Sequence, residues 1–235
     1  MNKTTFGIAM IAMLAGAASA DVYGDNTGSH VAGGDVHDFF YSQGFSHLDI
    51  ASVEITNDMN NLYVDIQLVG DLDATAWGKY ALGINTGVNA GDTGNGWGRN
   101  IDWGGQTITH WVATWADDGG SGIGGQVWDW DGGAWNTNAN IASSDDSQHA
   151  SGHQIFAISL ADLGLSVGDS FTFDVVSTGG GFDPGVDHLS RSDFATDDWG
   201  NQSVAGQFLS YTVIPAPGSL ALLGLGGLGV ARRRR

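Results

Sequence analysis

Apolar and polar residues alternate at every second position on both sides of a turn-forming run, Asn57–Asn61. The alternation covers Leu48–Thr56 before the turn and Leu62–Leu68 after it. A period of two places the apolar side chains on one face of an extended strand, whereas a helix needs a period near 3.6. The two runs therefore predict a β-hairpin with one buried face and one solvated face.

Further runs of this kind follow, separated by segments rich in Gly, Asp and Asn. The remaining strand candidates are Lys79–Asn85, Thr107–Trp115, Gly125–Asp131, Ala134–Ala139, His153–Leu160, Ser170–Ser177 and Phe208–Val213. One short helical turn is expected at Ser159–Gly164, between a hydroxyl cap and a glycine stop. About nine strands with long Gly/Asp-rich loops predict an all-β fold, a jelly-roll-like antiparallel β-sandwich of two sheets.

The first twenty residues have the composition of an export signal. Lys3 precedes the apolar run Phe6–Ala17, and the small residues Ala18-Ser19-Ala20 follow. A positive start, a short apolar stretch and small residues at the cleavage point are typical of a secretory signal peptide. We therefore expect export through the Sec machinery and a mature chain that begins at Asp21.

The C-terminal segment has three consecutive parts. A strand-breaking run is followed by the apolar and glycine-rich residues Leu220–Ala231 and by four arginines. The breaking run is Pro215, Ala216, Pro217, Gly218 and Ser219, and the arginines are Arg232, Arg233, Arg234 and Arg235. A twelve-residue helix spans about 18 Å, well short of a bilayer core of about 30 Å, and arginines stay on the cytoplasmic side. This apolar helical tail is therefore expected to hold the domain at the membrane only transiently.

The segment Ile214-Pro215-Ala216-Pro217-Gly218-Ser219-Leu220, the Gly/Leu run and the terminal arginines resemble a PEP-CTERM sorting signal, in the variant common in planctomycete-like bacteria. The resemblance implies that an exosortase recognises the tail and processes it near the prolines. Ala216 departs from the family pattern, which has Glu there. The alternative is an ordinary membrane anchor. The predicted organisation is a signal peptide at 1–20, a β-sandwich domain at 21–213 and a sorting tail at 214–235.

The charge of the predicted domain limits its partners. Its 26 acidic residues face three basic ones, Lys79, Arg99 and Arg191, which gives a formal charge of −23 (3 − 26). Such a charge repels nucleic acid and anionic lipid surfaces. The chain has no cysteine, so disulfides and thiol chemistry are excluded.

The order of several short motifs carries a second resemblance. The motifs are Asp49-Ile50, Tyr80–Thr86, Gly96–Arg99, Val127–Trp135 and Ser159–Gly164. Together they resemble the DOMON-like superfamily, which includes the family-nine carbohydrate-binding modules. The resemblance implies a β-sandwich that often binds sugars and sometimes Ca²⁺. At residue 85 this chain has Asn where several relatives have an acidic residue, so no metal ligand is transferred to that position.

Calcium is the cofactor that the loop composition favours, because Asp, Asn and backbone carbonyls supply the hard oxygen ligands that it prefers. The candidate ligands are Asp92 and Asn95 in one loop and Asp183 and Asp187 in another, and Asp21 and Asp25 are candidates for a third site.

Tryptophans are the candidate carbohydrate ligands, because sugars stack on flat aromatic rings. Trp97, Trp103 and Trp199 lie in predicted loops. Trp128 and Trp130 share one strand face, as do Trp111 and Trp115, and these pairs are expected to be core residues.

Catalysis has little support in the sequence. There is no Gly-x-Ser-x-Gly nucleophile elbow, and His149 and His153 are separated by Gly152 in a polar run that disfavours a helix. The sequence therefore favours a non-enzymatic cell-surface or extracellular-matrix protein that exosortase sorts. The alternative is a carbohydrate-binding module of the envelope or exopolysaccharide, with Ca²⁺ as a cofactor and a polysaccharide as partner.

The two terminal signals predict a processed protein. Mass spectrometry of the protein from the envelope of its native host should find a first residue near Asp21 and no Arg232–Arg235 segment. The same chain expressed in a bacterium without an exosortase should keep the arginines. Intact termini on the native envelope protein would contradict both assignments.

Overall fold

The computed structural model describes residues 20–74, 77–116 and 124–215. These residues form two antiparallel sheets with a shared apolar core, as the sequence predicts. The helical elements in this part of the chain are short: α1 (Asp38–Tyr41) and 3-10 helices at His30–Ala32, Ser46–Leu48 and His149–Ser151. No helix within the described ranges has the length and apolar character needed to cross a membrane. The predicted signal peptide up to residue 19 and the tail from Ala216 onward lie outside the described residues.

Fourteen strands are present in the residues that the structure describes. In chain order they are β1 (Asp21–Gly24), β2 (Ile50–Asn57), β3 (Asn61–Leu68), β4 (Lys79–Asn85), β5 (Ile101–Asp102), β6 (His110–Trp115), β7 (Gly124–Trp130), β8 (Trp135–Asn140), β9 (Ser143–Asp145), β10 (His153–Ser159), β11 (Ser170–Thr178), β12 (Gly185–His188), β13 (Ser203–Val204) and β14 (Leu209–Thr212).

The strands form two large sheets and one small one. Sheet A has the order β1-β2-β3-β10-β9, and sheet B has the order β12-β11-β4-β6-β7-β8 with β14 also paired to β11. The short strands β5 and β13 pair in parallel. The β2–β3 hairpin has the predicted alternation, with Val53 opposite Ile66 and Ile55 opposite Val64. These four side chains are buried in the core between the sheets.

The central strands of sheet B, β4 and β6, are buried on both faces. Leu82, Val112 and Val127 are adjacent in register and face the shared core. The next register position carries Trp111 beside Trp128, which belong to a second apolar cluster on the opposite face. Loop residues such as Trp103 cover that face. Burial on both sides explains why β4 reads as a continuous apolar run rather than as an alternation.

Most predicted strands differ from the observed ones by one to three residues at an end, and β4 has the predicted bounds. The predicted helical turn at Ser159–Gly164 is a series of turns, in which the Leu163 N–H donates to the Leu160 carbonyl at 3.2 Å. Gly164 ends it with a positive φ of 66°, as expected for a glycine stop. The short helix α1 was not predicted, because four residues carry no detectable periodicity.

The core assignment predicts different costs for two phenylalanines. Phe173 is fully buried between the sheets, whereas Phe182 is 80% exposed. Phe173→Ala should lower the free energy of unfolding by about 3–5 kcal/mol because it leaves a cavity. Phe182→Ala serves as the matched control and should change it by less than about 0.5 kcal/mol. Denaturant titration measures both, and equal effects would contradict the sandwich core.

Candidate functional site

Four aspartates converge at one end of the sandwich, where the two sheets meet. Asp25 directly follows β1 and Asp49 directly precedes β2, so both belong to sheet A. Asp35 lies in the loop between β1 and β2, and Asp187 lies within β12 of sheet B. We call these four residues the carboxylate cluster.

The carboxylates of the cluster are close together and mostly buried. One oxygen each of Asp25, Asp35 and Asp187 lies within 4.8 Å of the other two. Asp187 accepts the N–H of Ile50 at 2.7 Å across the two sheets. Asp49 accepts the N–H of Gly28 at 2.8 Å through one oxygen. Its other oxygen and both oxygens of Asp35 are buried without a hydrogen-bond partner among the described residues.

Burial makes the ionised form of the cluster unfavourable. It raises the pKa of Asp25 to about 10, with further contributions from Asp187 and Asp35. Burial also raises the pKa of Asp49 to about 7, and it raises the pKa of Asp35. Burial and the charge of Asp35 hold the pKa of Asp187 well above its usual range. The ion pairs between described residues do not involve these carboxylates. In their ionised form, these carboxylates therefore have no cation among the described residues to balance their negative charge.

A groove of about 450 Å³ runs beside the cluster. Its lining includes Gly24, Asp25 and Asn26 on one side and residues 189–192 on the other. Arg191 lines this groove, but its guanidinium pairs with Asp193 at 2.7 Å. The groove therefore gives solvent and small ions a route to Asp25.

The predicted calcium ligands do not lie together in the pairs that the sequence suggests. The amide of Asn95 is occupied by the backbone of Arg99, at 2.9 Å and 3.0 Å. Asp92 accepts the indole N–H of Trp135 at 2.8 Å. Asp92 and Asp183 are not in the group of three acidic side chains that lie close enough to hold one ion in the described residues. Asp187 and Asp25 instead meet Asp35, which the sequence did not single out.

The three candidate tryptophans have different environments. Trp103 is 1% exposed in the second core cluster, so it is a core residue rather than a ligand-binding one. Trp199 is partly buried, and its ring lies 4.8 Å from that of Phe40. Trp97 is half-buried and faces Trp115, with the ring centroids 6.1 Å apart and the planes 34° apart. Trp111 is fully buried, as expected, whereas Trp115, Trp128 and Trp130, which were also expected in the core, are only partly buried.

Trp97 and Trp115 line an open groove of about 370 Å³ together with Lys79 and Arg99. We call it the aromatic groove. The Arg99 guanidinium lies 5.2 Å from the centre of the Trp97 ring and donates to the Gly181 carbonyl. The Trp97 indole N–H donates to Gln126 at 3.2 Å, which fixes the ring. The groove therefore combines two aromatic faces with two of the three basic side chains of the predicted domain.

A Ser-His-Asp arrangement lies inside the domain. The Ser203 hydroxyl is 3.1 Å from His188 Nε2, and His188 Nδ1 is 2.6 Å from Asp174. All three side chains have no exposed surface, and the Ser203 oxygen also accepts the N–H of Gly185 at 2.9 Å. The sequence does not reveal this arrangement, because the three residues are far apart along the chain. Because no surface of the three is open to a substrate, the geometry describes a buried polar network.

Asn57 holds the chain where it leaves the domain. Its amide oxygen accepts the hydroxyl of Tyr211 at 2.8 Å and the N–H of Ile214 at 3.0 Å. Its NH₂ group donates to the Ile214 carbonyl at 2.8 Å. Val213 is fully buried, and Pro215 is exposed. Asn57 therefore fixes the backbone of Ile214 to the end of β2.

Comparison with protein families identifies the segment that follows. A family model described as the PEP-CTERM protein-sorting motif matches residues 213–235. The chain carries a PEP-CTERM sorting motif. The protein is therefore exported and sorted at the cell envelope, and the motif implies processing by an exosortase. Neither the curated proteins nor the solved structures contain a match to this chain.

The PEP-CTERM match begins next to the residue that Asn57 contacts, Ile214. The match begins at Val213, which is fully buried, one residue before the predicted start of the tail. Pro215, the first proline of the motif, is exposed and directly follows Ile214, whose backbone is bonded to Asn57.

Proposed function

We propose that this PEP-CTERM protein is a non-enzymatic component of the cell surface or extracellular matrix, delivered by exosortase-dependent sorting. The sorting motif carries the proposal, because it directs a single predicted domain to the envelope. The proposed mechanism is delivery: Sec-dependent export comes first, the tail holds the chain at the membrane for a time, and processing then releases the domain.

The properties of the domain support a structural role. The Ser203 network is closed to substrates in the described residues, and Ser203 already accepts a backbone N–H. A formal charge of −23 keeps a protein soluble at high local density, since like-charged copies repel one another.

The proposal is tested in the native host. Replacing Arg232–Arg235 by serines removes the basic end of the tail, so the protein should disappear from the processed envelope fraction on an immunoblot. Arg191→Ser removes an arginine from the domain and should leave sorting unchanged. A host that carries a correctly folded Ser203→Ala protein should have the same envelope integrity as the wild-type host. Loss of envelope integrity in that host would instead favour an enzyme.

A carbohydrate-binding role is the second candidate, and the aromatic groove favours it. Trp97 and Trp115 offer two tilted rings at the surface, which suits stacking against sugar faces. Lys79 and Arg99 line the same groove, where Lys79 donates to the Trp77 carbonyl at 2.8 Å and Arg99 donates to the Gly181 carbonyl.

The groove predicts which aromatic residues matter for binding. Trp97→Ala and Trp115→Ala should each weaken binding of the host exopolysaccharide at least about tenfold, or about 1.4 kcal/mol, in isothermal titration. Phe39→Ala removes a 40% exposed ring elsewhere and should not weaken binding. Unchanged affinity in both tryptophan variants, with the fold intact by circular dichroism, would remove the carbohydrate hypothesis.

A further inference from the structure

We propose that the carboxylate cluster binds one Ca²⁺ ion, with Asp25, Asp35 and Asp187 as ligands and Asp49 beside them. The site is independent of the delivery role and of the aromatic groove. It combines Asp25 and Asp187, which the sequence places in two separate candidate sites, with Asp35, which the sequence does not single out.

The spacing of the oxygens fits a single ion. Ca²⁺ binds oxygen at about 2.3–2.6 Å, so two ligands of one ion lie at most about 5 Å apart. The oxygens of Asp25, Asp35 and Asp187 lie within 4.8 Å of one another. Water from the adjacent groove would supply further donors toward a coordination number of six to eight.

The position of Asp35 points independently to a ligand. Its side chain has no exposed surface, and neither of its oxygens has a hydrogen-bond partner in the part of the chain that the structure describes. Leaving a buried carboxylate without any partner costs several kcal/mol, so native proteins rarely do so. A bound cation supplies the missing partner.

The chemistry of the donors selects calcium among the common metals. The group contains carboxylates and neither histidine nor cysteine, which disfavours zinc. Mg²⁺ requires near-ideal octahedral geometry and keeps most of its waters, whereas Ca²⁺ accepts irregular sets of carboxylates from several loops. The four aspartates come from four separate positions of the chain, as suits the more tolerant ion.

The ion would join three parts of the fold. Asp25 extends from β1, Asp35 belongs to the following loop, and Asp187 belongs to sheet B. Ca²⁺ would therefore fasten the N-terminal strand and its loop to both sheets, and its removal should loosen this end of the domain first.

Asp35→Asn tests the site in the exported full chain, because it removes one charge without removing a protein hydrogen bond. In about 0.15 M NaCl, where non-specific attraction is screened, calorimetric titration should find one Ca²⁺ per wild-type chain. The dissociation constant should be on the order of 10⁻⁴ M or tighter, and Asp35→Asn should weaken binding about tenfold or more. Ca²⁺ should also raise the melting temperature of the wild type far more than that of the variant.

Asp146→Asn is the matched control, since it removes the same charge from an exposed aspartate. It should keep the wild-type calcium affinity and melting response. In chelator, Asp35→Asn should melt higher than the wild type, because the repulsion is relieved without an ion. The proposal is overturned if the folded wild type binds no stoichiometric Ca²⁺. It is equally overturned if Asp35→Asn and Asp146→Asn retain equal affinity, or if Mg²⁺ stabilises the wild type as strongly as Ca²⁺ does.

Discussion

Like charges that share a desolvated volume repel strongly unless a proton or a cation lies between them. This constraint governs the end of the sandwich where β1, the start of β2 and β12 meet. Asp187 accepts the backbone N–H of Ile50, and this hydrogen bond connects sheet B to sheet A. The contact between the sheets therefore depends on a carboxylate that is itself unfavourable to bury in its charged form. Asp49 in turn holds Gly28 at the start of the β1–β2 loop. The closure of this end therefore depends on how the charge of the cluster is balanced.

The sandwich and nine of the fourteen described strands could be predicted from the sequence because they depend on local patterns, whereas the short strands β1, β5, β9, β12 and β13 could not. The alternation in β2 and β3 is visible in neighbouring residues, and the turn residues between them mark the hairpin. The continuous apolar run in β4 also matched its strand, although the pattern alone does not reveal that loops cover its outer face. Trp103 is a ligand candidate in the sequence because it lies in a predicted loop, and only the structure shows that this loop packs its ring onto the sheet.

The site could be predicted only in part because it depends on contacts between distant residues. Asp25 and Asp187 were among the candidates, but Asp35 and Asp49 look like ordinary turn acids among 26 acidic residues. Only the folded chain shows that Asp35 is buried without a partner. The buried contact between Ser203 and His188 spans 15 residues, and that between Asn57 and Ile214 spans 157, so no spacing rule reveals them.

Strand β11 connects two opposite ends of the domain. At its first residue, Ser170 pairs with Thr212, close to where the tail leaves. At its far end, Ser177 pairs with Asp187, and Thr178 pairs with Lys79, which is opposite Trp115. The eight steps of about 3.3 Å between the nine residues of β11 separate these ends by about 26 Å. The carboxylate cluster and the aromatic groove therefore lie near the end of β11 that is remote from Ile214.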